Sequence, residues 1–379
     1  MIDTDETARD RDDTLRFRWS QHLDGAQAQA WRSFAERVPW AHYRQDPAWA
    51  EVECGDGGDG RTPVFFWAER GDEIRLTALG IRRRLPVPGR VFWEFDKGPS
   101  FLDVADLDEW LTWLRGRLGR EAARLRLAPP MPLEQGGDDV ETALERLGLE
   151  RRRVLGGWAT LLVDLRPDET ALLKGFRSAT QRSIRKSVRL GIEVGIEDEP
   201  CGWSVLVDLE NELAQTTQVS PVDRERVSRI SRSWLRGGRG GTVLVARHDG
   251  EPLAAALVIR DRETAFLPMI PSSRRHRELP ASHLLVWEAM RWARAQGCTT
   301  FDMAGYSLVA RPGESLWGIN QFKRGFSRLD GLSKCVAIHE AVSSPLVVAA
   351  AQAVRDAQER WHRRATPTAK DRPDVAEGR

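Results

Sequence analysis

The residues with the clearest chemical potential are a lysine between two phenylalanines, Phe322-Lys323-Arg324-Gly325-Phe326, and a carboxylate upstream in Phe301-Asp302-Met303-Ala304-Gly305. Lysine is scarce in this chain, six residues against fifty-one arginines. A lysine kept at such a spot supplies a compact, mobile cation that the planar fork of arginine does not imitate. Aromatic neighbours would exclude water and strengthen its field. Alone, Lys323 reads equally as a surface residue that escaped a GC-rich codon bias. Asp302 likewise reads either as a reacting carboxylate or as a hydrogen-bonding residue beneath a loop. The second informative stretch is Glu169–Leu190, where Leu173, Phe176, Thr180, Ile184 and Val188 fall on one stripe at about 100° per residue. Arg182, Arg185, Lys186 and Arg189 fall on the opposite face. Residues 177–192 contain no acid, whereas a solvated helix face normally mixes its signs. A one-signed face suits a polyanion, held through phosphates rather than through sequence.

The elements that must position these groups come in two sets with one order. In the first, strands at Pro63–Glu69, Ile74–Arg83 and Arg90–Phe95 precede a helix Leu107–Ala123 and a strand Arg124–Leu127. In the second, strands at Thr242–Arg247, Leu253–Arg260 and Ala265–Ile270 precede a helix Ala281–Gln296 and a strand Thr299–Met303. The Asp249-Gly250 pair between alternating apolar runs is a strong hairpin signal. The repeated order predicts an α/β protein made of a duplicated unit, each a mixed sheet with packed helices. A length of 379 residues also suits two units better than one.

Composition narrows the class. With 41% hydrophobic and 30% charged residues and a net charge of +1, this is an ordinary globular chain, and any nucleic-acid contact must come from a local patch. No run reaches the roughly 18 apolar residues of a membrane span, and the acidic start is no secretory signal. Cys54, Cys201, Cys298 and Cys335 form no paired spacing, which fits a reducing cytoplasm. The histidines His248, His276, His283 and His339 lack metal-ligand spacing, so no metal is expected. The fifteen tryptophans, among them Trp110, Trp113, Trp287 and Trp292, read as core.

Five spaced motifs together resemble the FemABX family of aminoacyl-tRNA-dependent aminoacyltransferases. They are Gln45-Asp-Pro-Ala-Trp49-Ala, Lys97-Gly98-Pro99, the basic run Phe176-x5-Arg182-x-Ile184-Arg185-Lys186 closed by Gly191, Phe301-Asp302-Met303-Ala304-Gly305 and Phe322-Lys323-x2-Phe326. The likeness covers most of residues 40–340 and implies two GNAT-like acyltransferase domains in tandem, without the paired-helix arm of some members. The expected limits are a tail at 1–14, domains at 15–157 and 158–345 with the basic helix at 169–190, a helix at 346–363 and a tail at 364–379. It implies a cytoplasmic monomer that uses aminoacyl-tRNA as co-substrate, needs no cofactor, and forms an amide on an amine-bearing small molecule or peptide. Lys323, Phe322 and Asp302 would then be catalytic, and Arg182, Arg185, Lys186 and Arg189 would face tRNA.

Departures bear on the acceptor. Glu51-Val52-Glu53 stands where members usually carry a lysine, and Phe266–Ile270 replaces a tyrosine-rich strand. In some members those positions help hold a nucleotide-linked peptidoglycan precursor, so a specialised-metabolite peptide or amino acid stands beside it as acceptor. The turn from Ser272 to Ser282 lacks the glycine of a CoA cradle, but its arginines could meet phosphates. Ser272, Arg274 and Tyr306 are the candidates for substrate contact. An acyl-CoA N-acyltransferase of the polysaccharide-biosynthesis type is the alternative reading, and a catalytically inert nucleic-acid-binding module is a third.

Overall fold

A computed structural model describes residues 14–354, apart from 56, 58–59, 153–158, 198–200, 215–222, 236–239, 277 and 328. The C-terminal tail, most of the N-terminal one, and residues 355–363 of the expected last helix lie outside the described residues.

The repeat is visible in strand pairing. The first set is β1 (Arg16–Ser20), β2 (Arg61–Arg70), β3 (Glu73–Arg84), β4 (Val91–Phe95), β5 (Ser100–Phe101), β6 (Ala122–Leu127) and β7 (Glu150–Arg151). The second is β8 (Ala159–Asp164), β9 (Glu193–Ile196), β10 (Gly241–His248), β11 (Glu251–Asp261), β12 (Thr264–Met269), β13 (Thr300–Tyr306) and β14 (Leu332–Lys334), with β15 (His339–Val342) last. In the first sheet β2, β3 and β4 pair antiparallel and β4 pairs β6 in parallel. In the second, β10, β11 and β12 pair antiparallel and β12 pairs β13 in parallel. Each parallel step needs a crossover, supplied by α3 (Val104–Leu118) and α9 (Ala281–Ala295). Asp249 (φ 49°) and Gly250 (φ 80°) make the hairpin turn with two positive φ values.

Leu253–Ile259 of β11 is buried on both faces, as its unbroken apolar run requires. Leu253, Ala254, Ala256 and Val258 pack with Leu285, Ala289 and Met290 of α9. Ala255, Leu257 and Ile259 turn the other way, into a core shared with Trp31, Tyr43, Trp49, Phe65 and Leu79 of the first half. Tryptophans serve here as core: Trp49 meets Trp234 edge-on with centroids 5.6 Å apart.

Two expectations are corrected. The strand β15, placed by the 158–345 limit in the second unit, pairs with β6 and β7 of the first sheet. The halves are thus interleaved through β15: β8 opens the second unit and pairs with its β13 and β14, whereas β15 returns to the first. The basic helix expected at 169–190 is two helices, α5 (Glu169–Gly175) and α6 (Ser178–Arg189). Phe176 and Arg177 between them are extended, with ψ of 155° and 144°. The break re-phases the second helix: Thr180, Ile184 and Ser187 are its buried positions, and Val188 is 60% exposed instead of lying on the apolar stripe.

The returning strand is locked by charge. Glu340, 2% exposed, pairs with Arg126 at 2.7 Å and Arg152 at 2.9 Å, and also with Arg124. Removing this carboxylate leaves guanidinium groups facing one another in a partly buried site. We expect Glu340→Ala to lower unfolding free energy by about 3 kcal/mol, read from urea denaturation; an unchanged midpoint would contradict the lock.

Candidate active site

Between the halves lies a cleft of about 530 Å³. One wall comes from the first half, including His42, Tyr43, Arg44 and Lys97; the other includes Thr160, Phe266, Asp302, Ala304, Gly305 and Cys335. β12 and β13 pair only from Thr264–Phe266 to Thr300–Asp302. Beyond Asp302, β13 also shifts register against β8. Ala304 sits at φ 57°, a left-handed conformation uncommon for a residue with a Cβ.

Lys323 holds this irregularity from behind. It ends α10 (Ser315–Lys323), is 8% exposed, and donates from Nζ to Ala304 O at 3.1 Å and Gly305 O at 2.6 Å. Burial pushes its ammonium down to about 8, the charge of Asp302 offsetting part of that. An ammonium has three N–H donors, and these bonds use two of them. Asp302 accepts from the Thr160 hydroxyl and, at 2.6 Å, from the Ala304 N–H, both through Oδ1. Burial raises its pKa, while those two bonds and the charges of Lys97 and Lys323 work against the rise. Oδ2 keeps no hydrogen bond to a described residue.

The opposite wall is built as firmly. Gln45, from the first motif, buries its amide: Oε1 accepts from Leu79 N at 2.8 Å and Nε2 donates to Asp96 O at 2.8 Å. Gly98 lies so close that a Cβ there would overlap the Gln45 amide. The first two motifs therefore form one unit, and it presents Lys97 to the cleft at φ 56°. Arg44 in the same wall pairs with Asp96. Arg262, at φ 52°, reaches across to the carbonyls of Ala35 (3.3 Å), Val38 (3.1 Å) and Ala41 at the end of α1 (Gly25–Arg37). His42 is held well below its ordinary pKa by burial first, and then by Lys97, Arg44 and Arg262.

The remaining candidates fall in different places. Phe322 packs on His283 and Phe326, with centroids 5.0 and 5.4 Å away, and Phe326 packs on Phe176 at 5.3 Å. Its ring thus knits helices together behind the cleft. The start of α6 docks on the same segment: Arg177 N donates to Gly325 O at 2.9 Å, and Gly325 leaves no room for a Cβ against Thr180. Arg182, Arg185, Lys186 and Arg189 are all exposed on α6. Lys186 also reaches Glu278 O at 3.3 Å, and Arg185 reaches Gln181 at 3.3 Å. Ser272 and Arg274 lie outside the cleft lining, on the turn before α9, where the Arg274 N–H donates to Glu212 at 3.2 Å. Tyr306 is buried in the second-half core and does not line the cleft either. Glu53, the last residue of the Glu51-Val52-Glu53 stretch, accepts from Trp49 Nε1 at 3.0 Å and from Arg226 at 2.6 Å, tying the halves together. Sequence reasoning passed over Lys97 as a site residue, although it is one of the same six lysines.

Among the described residues no helix is long and apolar enough to cross a membrane. Residues 174–324 match the acetyltransferase (GNAT) domain family. No curated protein matches the sequence. Among solved structures the chain is similar to FemX, at 15% identity over 86% of this chain and 98% of that one, with a TM-score of 0.71. It is also similar to a tandem GNAT protein from the clavulanic acid biosynthesis pathway, at 14% identity over 88% of this chain and 99% of that one, with a TM-score of 0.55. L-PGS from Bacillus licheniformis follows, at 14% identity over 88% of this chain and 96% of that one, with a TM-score of 0.50. At such identities the likeness speaks for fold. The chain has a FemX-like tandem GNAT fold, α/β with two mixed sheets, and carries an acyltransferase-type domain at residues 174–324.

Proposed function

We propose that the protein transfers an aminoacyl group from tRNA to an amine held in the cleft between the halves. The observation that carries this reading is the position of Lys323: a buried ammonium under the cleft wall, on the segment against which the one-signed basic helix docks. The ester of an aminoacyl-tRNA is already activated, so no protein nucleophile is required. The acceptor nitrogen attacks the ester carbonyl, the C–N bond forms, and the carbonyl oxygen becomes an oxyanion. The charge of Lys323, set behind the Ala304 and Gly305 carbonyls, stabilises that oxyanion through space as it develops. The bound ammonium first gives one proton to water, which frees its lone pair for attack. After the C–N bond forms, Asp302 takes the next proton from that nitrogen through Oδ2 and passes it to the ribose oxygen as the C–O bond breaks. Burial raises the affinity of Asp302 for that proton. Arg182, Arg185, Lys186 and Arg189 hold phosphates of the donor. Holding both substrates in register supplies much of the remaining acceleration.

An acyl-CoA donor is the competing reading, favoured by the acetyltransferase-type domain and by the divergence of β12 from β13. The two separate in one experiment: protein incubated with charged tRNAs or with acetyl-CoA, plus a panel of amines, read by mass spectrometry. We expect product only with charged tRNA, and none after RNase treatment. Product that survives RNase and requires acetyl-CoA would replace this reading with the other. Lys323→Met should lower kcat by about 10²–10³-fold with little change in tRNA affinity. Substituting Arg182 and Arg189 with alanine should instead weaken tRNA binding and flatten its salt dependence.

The pH profile carries a sign. Lys323 loses its proton as pH rises through about 8, so a rate that needs the ammonium falls above that pH. Asp302 is the charge that holds the lysine up, so Asp302→Asn should move the Lys323 titration below about 8, as followed by 15N NMR of Nζ. A titration that stays in place would dissociate the two groups.

A further inference from the structure

We infer that the acceptor is a zwitterion, an amino acid or short peptide whose carboxylate sits on Lys97 and whose ammonium sits on Asp302. This rests on the reading of the cleft as the acceptor site. Four observations converge on Lys97. It lines the cleft from the first half while Asp302 lines it from the second. Among the described residues it makes no hydrogen bond or ion pair, whereas the other two basic chains in the lining, Arg44 and Arg262, are committed to Asp96 and to the carbonyls that end α1. Its backbone holds φ at 56°, a conformation that glycine or asparagine would adopt with less strain. Finally, the turn that carries it is fixed by the buried Gln45 amide.

Strain of this kind gathers around the cleft. Among the described residues four non-glycine positions have positive φ: Lys97, Asp249, Arg262 and Ala304. Asp249 and Arg262 are explained by the tight turns of the β10–β11 and β11–β12 hairpins, which leaves Lys97 and Ala304 in the cleft lining without a hairpin to account for them. Strained backbone persists where the surroundings over-determine it, commonly at ligand sites. A single uncommitted cation facing a single carboxylate matches one negative and one positive group on the ligand. A diphosphate would bring more negative charge than Lys97 can meet and would place it near Asp302. A plain alkylamine would leave Lys97 unanswered. The volume of about 530 Å³ lies in the roughly 300–1,000 Å³ range of small-molecule sites.

The test uses the full chain and a panel of L-amino acids and dipeptides, each as the free acid and as its carboxamide. Binding is measured by calorimetry without any donor, so the outcome does not depend on whether the donor is tRNA or acyl-CoA. We expect at least one free acid to bind about 10- to 100-fold more tightly than its carboxamide, the range for a charge-assisted contact. Lys97→Met should erase that preference and Lys97→Arg should keep most of it, with both variants matching the wild-type thermal midpoint. Equal binding of acid and amide, a preference that survives Lys97→Met, or no binding by any panel member would each overturn the inference. Transfer from charged tRNA onto carboxamides as readily as onto acids would overturn it while leaving the proposed reaction intact. Lys97-dependent binding with no transfer from any charged tRNA would support it and count against that reaction.

Discussion

A buried ammonium bonded to two backbone carbonyls is the contact on which the second half of the cleft depends. The irregularity in β13 shifts its register against β8, and carbonyls left unpaired there would need a donor. Lys323 supplies it from the end of α10. That fixes where α10 must stop, and with it the positions of Phe322 and Phe326 against Phe176 and His283. Phe176, in the link between α5 and α6, packs on Phe326 and Arg177 bonds to Gly325, so the basic helix is held by its own contacts to the segment that follows Lys323. The lysine is therefore structural and electrostatic at once. Its depressed pKa is the measure of how far it has been taken from water.

The first half answers with a neutral anchor. Gln45 does for the Asp96–Lys97 turn what Lys323 does for the β13 irregularity, using an amide whose donor and acceptor are both spent on backbone. An uncharged residue suffices there because the cation is carried by the turn itself. The two anchored turns present Lys97 and Asp302 from opposite walls. Asp302 registers both lysines, one behind it and one across the cleft.

Much of this was legible in the sequence, and the failures have physical causes. Strand order, the Asp249-Gly250 turn and the crossover helices are local patterns of alternation, turn chemistry and apolar periodicity, and they appear where expected. The break at Phe176 is tertiary: the ring is buried against Trp287 and Phe326, and Arg177 bonds to Gly325, none of which a helical stripe contains. Gly175 was the one local sign of it. The return of β15 to the first sheet is a long-range pairing, marked in sequence only by Glu340, whose partners lie more than 180 residues away. Lys97 could have been found with the argument already applied to Lys323, since scarcity singles out both. What scarcity could not supply is its left-handed backbone.

Interleaving also limits how the site can work. β15 crosses from the second unit to the first sheet, and Trp31, Tyr43, Trp49, Leu257 and Ile259 share one apolar core between the units. Parting the halves like a hinge would expose that core and break the Arg262 bonds to the end of α1. The cleft therefore keeps its shape, and discrimination among ligands has to come from fixed groups instead of from closure. A fixed site rejects a ligand by leaving its own buried polar atoms unpaired or by setting like charges together. Here those groups are one lysine without a partner and one carboxylate with a free oxygen among the described residues. What the cleft can select is written in that pair more than in the volume around it.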